Sequence, residues 1–356
     1  MKKTAVLTVA LLAIWSCEGD RPTQPADGPE PALRTTSNRV ASTCDAPGCR
    51  PGFGGVGGEF RPPPPPAPTT KIAILSSRGA NATGEMDVFV MDEDGSNAVA
   101  LTDSRVFKSL TAQAWSPDGT RLVFSDNRNV GPGQQRDGTV FAINADGTDE
   151  SLVVDFARNA SWSADGLTII AAINGEIGAT NPDGSDSRIL TNRVGRPILR
   201  QGPMPSPDGL SIIFAETTFF LMDIDGSNVR PFGPDGGLSG VTTTFGSGAT
   251  WSPDGTRIAF HAHLSPDGIP QSSLAGGPID IFVIDADGQN MVNLTNSASS
   301  NDNWPTWSPD GSRIAFGSSR DVLFGSDIYI MDADGSNLVQ ITDAEGFELS
   351  PAWSPR

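Results

Sequence analysis

From Lys71 to Arg356, short apolar runs alternate with glycine-containing turns in a fixed order. One kind of run follows an Asp-Gly turn, as in Leu122-Val123-Phe124, Ile258-Ala259-Phe260 and Ile314-Ala315-Phe316. A second kind precedes another Asp-Gly turn. These runs are Val88 to Met91, Val140 to Ile143, Phe219 to Met222, Ile281 to Ile284 and Ile328 to Met331, and the turns include Asp94-Gly95, Asp183-Gly184 and Asp334-Gly335. Near-continuous apolar runs of this length predict strands covered on both faces. A third strand often ends in Leu-Thr, at Leu101-Thr102, Leu190-Thr191 and Leu294-Thr295, with Ile341-Thr342 a near match. A polar linker then leads into a strand that carries Trp-Ser-Pro-Asp-Gly.

That pentapeptide begins at Trp115, Trp251 and Trp307, has weaker copies at Trp162 and Pro205, and is truncated at Trp353, with spacings of 43 to 56 residues. Periods of this size belong to solenoids or propellers. Four short antiparallel strands per unit describe a propeller blade. Five units are complete. The portion beginning at Lys71 supplies only the last three strands of a unit, and the segment Ser350 to Ser354 supplies only the first. Pairing the two completes a sixth blade and removes the open sheet edges. The expectation is therefore an all-β, six-bladed propeller over residues 71–356, closed by its N- and C-terminal strands.

The Trp-Ser-Pro-Asp-Gly turn, the Arg-Ile-Ala-Phe that follows it, and the stretch Ile328 to Asn337 resemble the WD-like repeats of TolB-type propellers. The resemblance covers Lys71 to Arg356 and implies the fold. It leaves function open, because one scaffold hosts many activities. The pattern departs from that family ahead of the propeller. TolB proteins carry a mixed α/β domain there and are soluble in the periplasm, whereas this chain has a Pro- and Gly-rich segment.

The N-terminus reads as an export signal over residues 1–16. Lys2 and Lys3 precede an uncharged apolar run from Ala5 to Trp15, too short for the roughly 20 residues of a membrane-spanning helix. Ile14-Trp15-Ser16-Cys17 resembles the lipobox of bacterial lipoproteins, which implies acylation of Cys17, and Glu18 after it favours the outer membrane by the same resemblance. Residues 17–70 form a tether whose composition cannot bury enough surface to fold, with Pro62 to Pro66 expected as an extended spacer. Cys44 and Cys49 lie on it in an oxidising compartment, where a small disulfide loop is favoured over a metal site.

Charge narrows the partners. The chain holds 42 acidic and 24 basic residues, a net charge of −18, and its lysines are Lys2, Lys3, Lys71 and Lys108 alone. Such a surface repels phosphate backbones, so nucleic acid is excluded as a partner class. The expected contacts are an envelope protein or other macromolecule, and the membrane through the lipid anchor only, with the propeller acting as a monomer facing the periplasm or the cell surface. No cofactor is implied.

The Asp-Gly turns do not have the spacing of a calcium-binding EF-hand loop, since counting from Asp332 places Gly335 fourth and Asp343 twelfth. They read as turns, in which Pro fixes φ, Asp bonds its own backbone and Gly accepts positive φ. Blade topology puts these short turns on one acidic face and gathers the long loops on the other, where binding residues concentrate. Candidate ligand-face residues there are Trp304, Asn303 and Asp302 in a linker, and His261 and His263 at the start of the longest loop. Two histidines spaced two apart on an extended chain point the same way, as metal ligands would, and Asp267 or Asp280 could add a third. Surface histidines are the plainer reading. No catalytic residue is expected, because there is no Gly-x-Ser-x-Gly elbow and no constellation around a nucleophile. The favoured function is a non-catalytic binding scaffold. The alternative is a metal-assisted, carbohydrate-active envelope enzyme centred on His261 and His263.

Overall fold

A computed structural model describes residues 70–78, 85–103, 108–110, 114–126, 138–191, 201–216, 218–234, 238, 248–264, 270–271, 278–321 and 324–355. They form six antiparallel sheets, each following the strand–turn–strand grammar of the repeats. We number these blades from the one that joins the two ends of the domain.

Blade 1 pairs Glu348–Trp353 with Lys71–Ser76, followed by Asp87–Asp92 and Val99–Ala100. The closure expected from the sequence is present: Ile72 faces Trp353 and Ser76 faces Glu348 across the seam. Blade 2 runs through Lys108–Ser109, Arg121–Asp126, Thr139–Asn144 and Ser151–Asp155. Blade 3 comprises Ala157–Trp162, Ile169–Ile173, Glu176–Thr180 and Arg188–Ile189. Blade 4 comprises Gln201–Pro205, Ser211–Ala215, Phe219–Asp223 and Arg230–Pro231. Blade 5 comprises Thr250–Trp251, Arg257–Leu264, Ile279–Asp285 and Val292–Asn293, with Pro270–Gln271 added against the second strand. Blade 6 comprises Asp302–Trp307, Arg313–Ser318, Asp327–Asp332 and Val339–Gln340.

The core lies between blades, which is why the middle strands are apolar on both faces. One cluster joins Ala73, Leu75 and Val88 of blade 1 to Trp115, Phe124 and Phe141 of blade 2. Another joins Ile72, Met91 and Trp353 of blade 1 to Ala315 and Ile328 of blade 6. The outer strands are mostly two residues long, and their exposed Val99, Val292 and Val339 stand singly on the rim. Short edges of this kind give little template for strand addition.

The Leu-Thr and Ile-Thr endings close four blades, 1, 3, 5 and 6, at their other end. The hydroxyls of Thr102, Thr191, Thr295 and Thr342 accept from the amides of Val88, Ile177, Ile281 and Ile328 at 2.8–3.0 Å. The same hydroxyls donate to Asp87, Glu176, Asp280 and Asp327 at 2.7–3.3 Å. Each clasp satisfies a backbone donor at the start of a middle strand that would otherwise be buried unpaired.

The outer Asp-Gly turns set how closely blades approach. Gly95 has φ +84°, and a Cβ there would overlap the Ile341 carbonyl of blade 6. Gly226, at φ +90°, meets the Leu190 carbonyl of blade 3 in the same way. Only glycine accepts both the left-handed backbone and the contact. Gly95→Ala should therefore cost about 2–4 kcal/mol, from strain and overpacking together. A denaturant melt of the variant checks this, and a loss under about 0.5 kcal/mol would mean that the turn relaxes freely.

Candidate functional site

The repeated Trp-Ser-Pro segments meet at the axis. Trp115, Trp162, Pro205, Trp251, Trp307 and Trp353, one per blade, stand at the ends of the inner strands. With Pro117, Pro207, Pro253, Pro309 and Pro355 they line a cavity of about 320 Å³ at the turn face. The indoles are 4–7 % exposed and wedge between neighbouring blades. Trp115 Nε1 donates to the Ala352 carbonyl at 3.0 Å, and Trp251 Nε1 to the Met204 carbonyl at 3.1 Å, each reaching the preceding blade. The guanidinium carbons of Arg257 and Arg313 lie 4.6 and 5.1 Å from the ring centres of Trp307 and Trp353. The Nε1 atoms of Trp162, Trp307 and Trp353 are buried and have no acceptor.

The rest of the motif builds the rim. Ser116, Ser163, Ser206, Ser252 and Ser308 donate from Oγ to Asp118, Asp165, Asp208, Asp254 and Asp310 at 2.5–2.7 Å. The same carboxylates accept amides from their own turns, as Thr120 N does to Asp118 at 3.1 Å. The Ser hydroxyl, then the turn amide, hold Asp118, Asp165, Asp208 and Asp254 below the usual Asp value, so this inner ring stays charged into acid. An outer ring of Asp-Gly turns, including Asp94, Asp183, Asp225 and Asp334, is held down in the same way by Ser185, Ser336 and their counterparts. Turns of adjacent blades also touch: a Cβ on Gly119 would contact Pro355, on Gly166 Pro117, and on Gly311 Pro253. The motif thus forms a rosette, an apolar funnel inside two acidic rings.

The opposite face is built differently from the sequence expectation. His261 and His263 do not open a loop; they belong to the strand Arg257–Leu264, opposite Ile281 and Ile279. This hairpin carries the pairing several residues beyond the usual blade edge, as the apolar Ile279 to Ile284 run permits. Trp304 and Asn303 likewise lie in an inner strand and not in a linker. Trp304 has φ +52° at a register shift between Asn303 and Thr306. The same position, three residues before the motif, is left-handed in other blades at Asn159, Gly202 and Ser350. The bulge is a repeat feature, and Trp304 fills it with a large side chain.

The structure brings Trp304 and His261 together. The Trp304 amide donates to His261 Nδ1 at 3.3 Å, the rings meet edge to face at 6.1 Å, and Gly248 leaves room for the imidazole. Asp302 is fully buried, accepting from Ser318 Oγ at 2.6 Å and Arg320 Nη2 at 2.7 Å. Asp280 is also fully buried and accepts from Asn293, Thr295 and the Ser297 amide. Both carboxylates are drawn into the framework, away from solvent. Among the described residues no group of three or more His, Cys, Asp or Glu is arranged to hold a metal ion. Asp267, Cys17, Cys44 and Cys49 lie outside the described residues.

Two buried polar contacts, one at a blade junction and one on the closing seam of blade 1, lie outside the sequence expectation. Lys108 is 1 % exposed and donates to Asp87 Oδ1 at 2.8 Å and the Met86 carbonyl at 2.9 Å, tying blade 2 to blade 1. Glu348, equally buried on the closing strand, accepts from Ser76 Oγ and from Arg78 Nε at 2.8 Å, while its Oε2 has no partner. Burial, then the Glu348 charge, raises Asp327 above the usual Asp value. The Ser76-x-Arg78 and Ser318-x-Arg320 spacings are the sequence signal of the acid-binding pairs, since each grips one buried carboxylate.

The architecture defines a closed six-bladed β-propeller, and the comparisons place its type. A family model described as the TolB beta propeller domain matches residues 247–356. A protein TolB homolog of Chlorobium luteolum is 29% identical over 163 residues, covering 42% of this chain and 34% of that relative. The alignment thus spans about a third of the relative's length. Among solved structures, TolB of Acinetobacter baumannii superposes with a TM-score of 0.60 at 19% identity, covering 81% of this chain and 67% of that one. A structure titled as TolB from Agrobacterium tumefaciens gives 0.53 at 20% identity, covering 81% and 99%. At those identities the structural likeness shows the fold alone. The chain carries a six-bladed β-propeller similar to the propeller domains of TolB proteins.

Enclosure has a measurable consequence at His261. Loss of solvent, with the nearby His263 charge as a smaller cause, lowers its pKa from 6.5 to about 4. The unfolded chain therefore takes up this proton first, and folding free energy on the order of 3 kcal/mol is lost as pH falls from 6.5 to about 4. His261→Gln should show a smaller drop in melting temperature across that interval than the unaltered protein. Parallel pH profiles would refute the assignment.

Proposed function

We propose that this chain is a non-catalytic, lipid-anchored binding scaffold of the cell envelope, whose propeller, acting as a monomer, docks an envelope protein at the Trp-Pro funnel. The observation that carries the reading is the funnel itself. Its volume of about 320 Å³ lies at the small end of ligand pockets, and aromatic rings at the centre of a polar surface are the composition of binding hot spots. Its chemistry favours holding over reacting. The serine hydroxyls around it are committed to the turn carboxylates, which accept those protons as hydrogen-bond partners and build the rim. The TolB relatives support placement in the envelope. Export, and attachment to the outer membrane through an acylated Cys17, rest on the N-terminal sequence, which supplies the apolar run and the Ile14 to Cys17 motif.

Photo-crosslinking in intact cells tests the docking face. A crosslinker at Pro309, on the funnel, should capture one envelope protein reproducibly; placed at Val292 on the rim or at Phe324, which is 93% exposed, it should not. Capture from Phe324 alone would return the site to the long-loop face. Absence of any product from all three positions would remove the binding function. Cys17→Ala should release the protein from the membrane fraction, and unchanged fractionation would sink the anchor.

A further inference from the structure

We infer that the funnel takes a cationic peptide segment, one with Lys or Arg on both sides of a short apolar or proline-containing tip; this rests on the funnel being the docking site. The shape sets the first part of the claim. A cavity of about 320 Å³ at the axis admits a few side chains, so it accepts the tip of an extended segment and excludes a folded domain. Its wall alternates pyrrolidine rings and indole edges with Ser and Thr, such as Ser116 and Thr306, and apolar and proline side chains pack on such rings with little loss of conformational freedom.

Charge sets the second part. A segment entering the funnel must cross the inner Asp ring and lie over the outer one. Asp118, Asp165 and Asp208 take their hydrogen bonds from hydroxyls and amides, which leave the negative charge in place. Three cations at the same face are already engaged. Lys71 pairs with Asp92 and Arg313 with Glu93 at 2.9 Å while stacking on Trp353, and Arg257, which covers Trp307, also lowers Asp254 through its charge. Asp118, Asp165 and Asp208 keep the collar around the centre negative, consistent with the net charge of −18. An anionic or neutral partner gains nothing from the collar; a cationic one is steered and held by it.

Quenching of the chain's own tryptophan fluorescence reads the interaction, because five of seven indoles line the funnel. The probe is a synthetic peptide with three Arg on each side of a Pro-Leu-Pro centre. Controls carry Glu in place of Arg, or Ser in place of the apolar centre. Saturable quenching is expected for the cationic peptide, at least about tenfold weaker for either control, and falling steeply with salt. The triple variant D165N/D208N/D254N keeps a side-chain oxygen for each turn and should fold with an unchanged circular dichroism spectrum, yet bind about tenfold more weakly. Pro309→Trp, which fills the funnel while leaving the collar, should abolish saturation. Equal affinity for the Glu-flanked peptide, or full affinity in the folded triple variant, would overturn the cationic assignment. Absence of binding by all three peptides alongside a Pro309 crosslink in cells would overturn the partner chemistry and leave the docking site standing, whereas absence of both would remove the docking site as well.

Discussion

Six separate sheets share one axis here because glycine lets the turns of neighbouring blades approach. At several outer turns no side chain would fit, since a Cβ would overlap a carbonyl of the preceding blade, as on Gly95 at Ile341 and on Gly226 at Leu190. At the inner turns a Cβ would only touch the preceding blade, as on Gly119 at Pro355, and glycine is needed there for its positive φ. The indoles then fill the wedge between blades, and their Arg partners cover what the sheets leave exposed. Spacing comes first, and the apolar core follows from it: clusters such as Ile72, Met91, Trp353 and Ile328 exist because two sheets are held at side-chain contact distance.

Most of this was legible in the sequence because it repeats. Strand order, the Asp-Gly turns and the pairing of Lys71–Ser76 with Glu348–Trp353 follow from a period that appears several times. Features that break the period were harder to read. His261 looks like the start of a loop because Ser265-Pro266-Asp267-Gly268 imitates a blade turn, yet the strand continues to Leu264 and the imidazole packs against Trp304 and Gly248. Trp304 looks like a linker aromatic because the residues around it are polar; the polar Asp302 is buried by Arg320, a contact between positions too far apart to suggest one another. Lys108 is the same problem in reverse, a lone lysine in a polar stretch that turns inward to Asp87.

The funnel escaped sequence reasoning for a different reason. Each Trp-Ser-Pro-Asp-Gly copy has a sufficient explanation within its own blade, as a turn with a packed indole, and nothing in one copy indicates a cavity. A ring of copies around an axis makes the prolines converge and the carboxylates line up in circles. Site chemistry here is a property of the symmetry, so a search for clusters close in sequence looks to the loops, where variety is greatest, and passes over the repeat itself.

This origin ties function to stability unevenly, and the difference can be used. The indoles bind blades together and line the funnel at once. Truncating one removes a buried aromatic, a loss of about 3–5 kcal/mol in a well-packed core, so Trp variants confuse unfolding with loss of binding. The carboxylates are separable. Their structural task is to accept a hydroxyl and an amide, as Asp118 does from Ser116 and Thr120, and a side-chain amide oxygen keeps both contacts while losing the charge-assisted part of each bond. The lowered pKa of Asp118 means that the ionised form holds the turn more tightly than the neutral one. Charge that is present at nearly every short turn, and kept ionised by the turn's own hydrogen bonds, therefore supports the ring and is available for recognition at once, and an Asn substitution separates the two at a smaller cost in stability than truncating an indole.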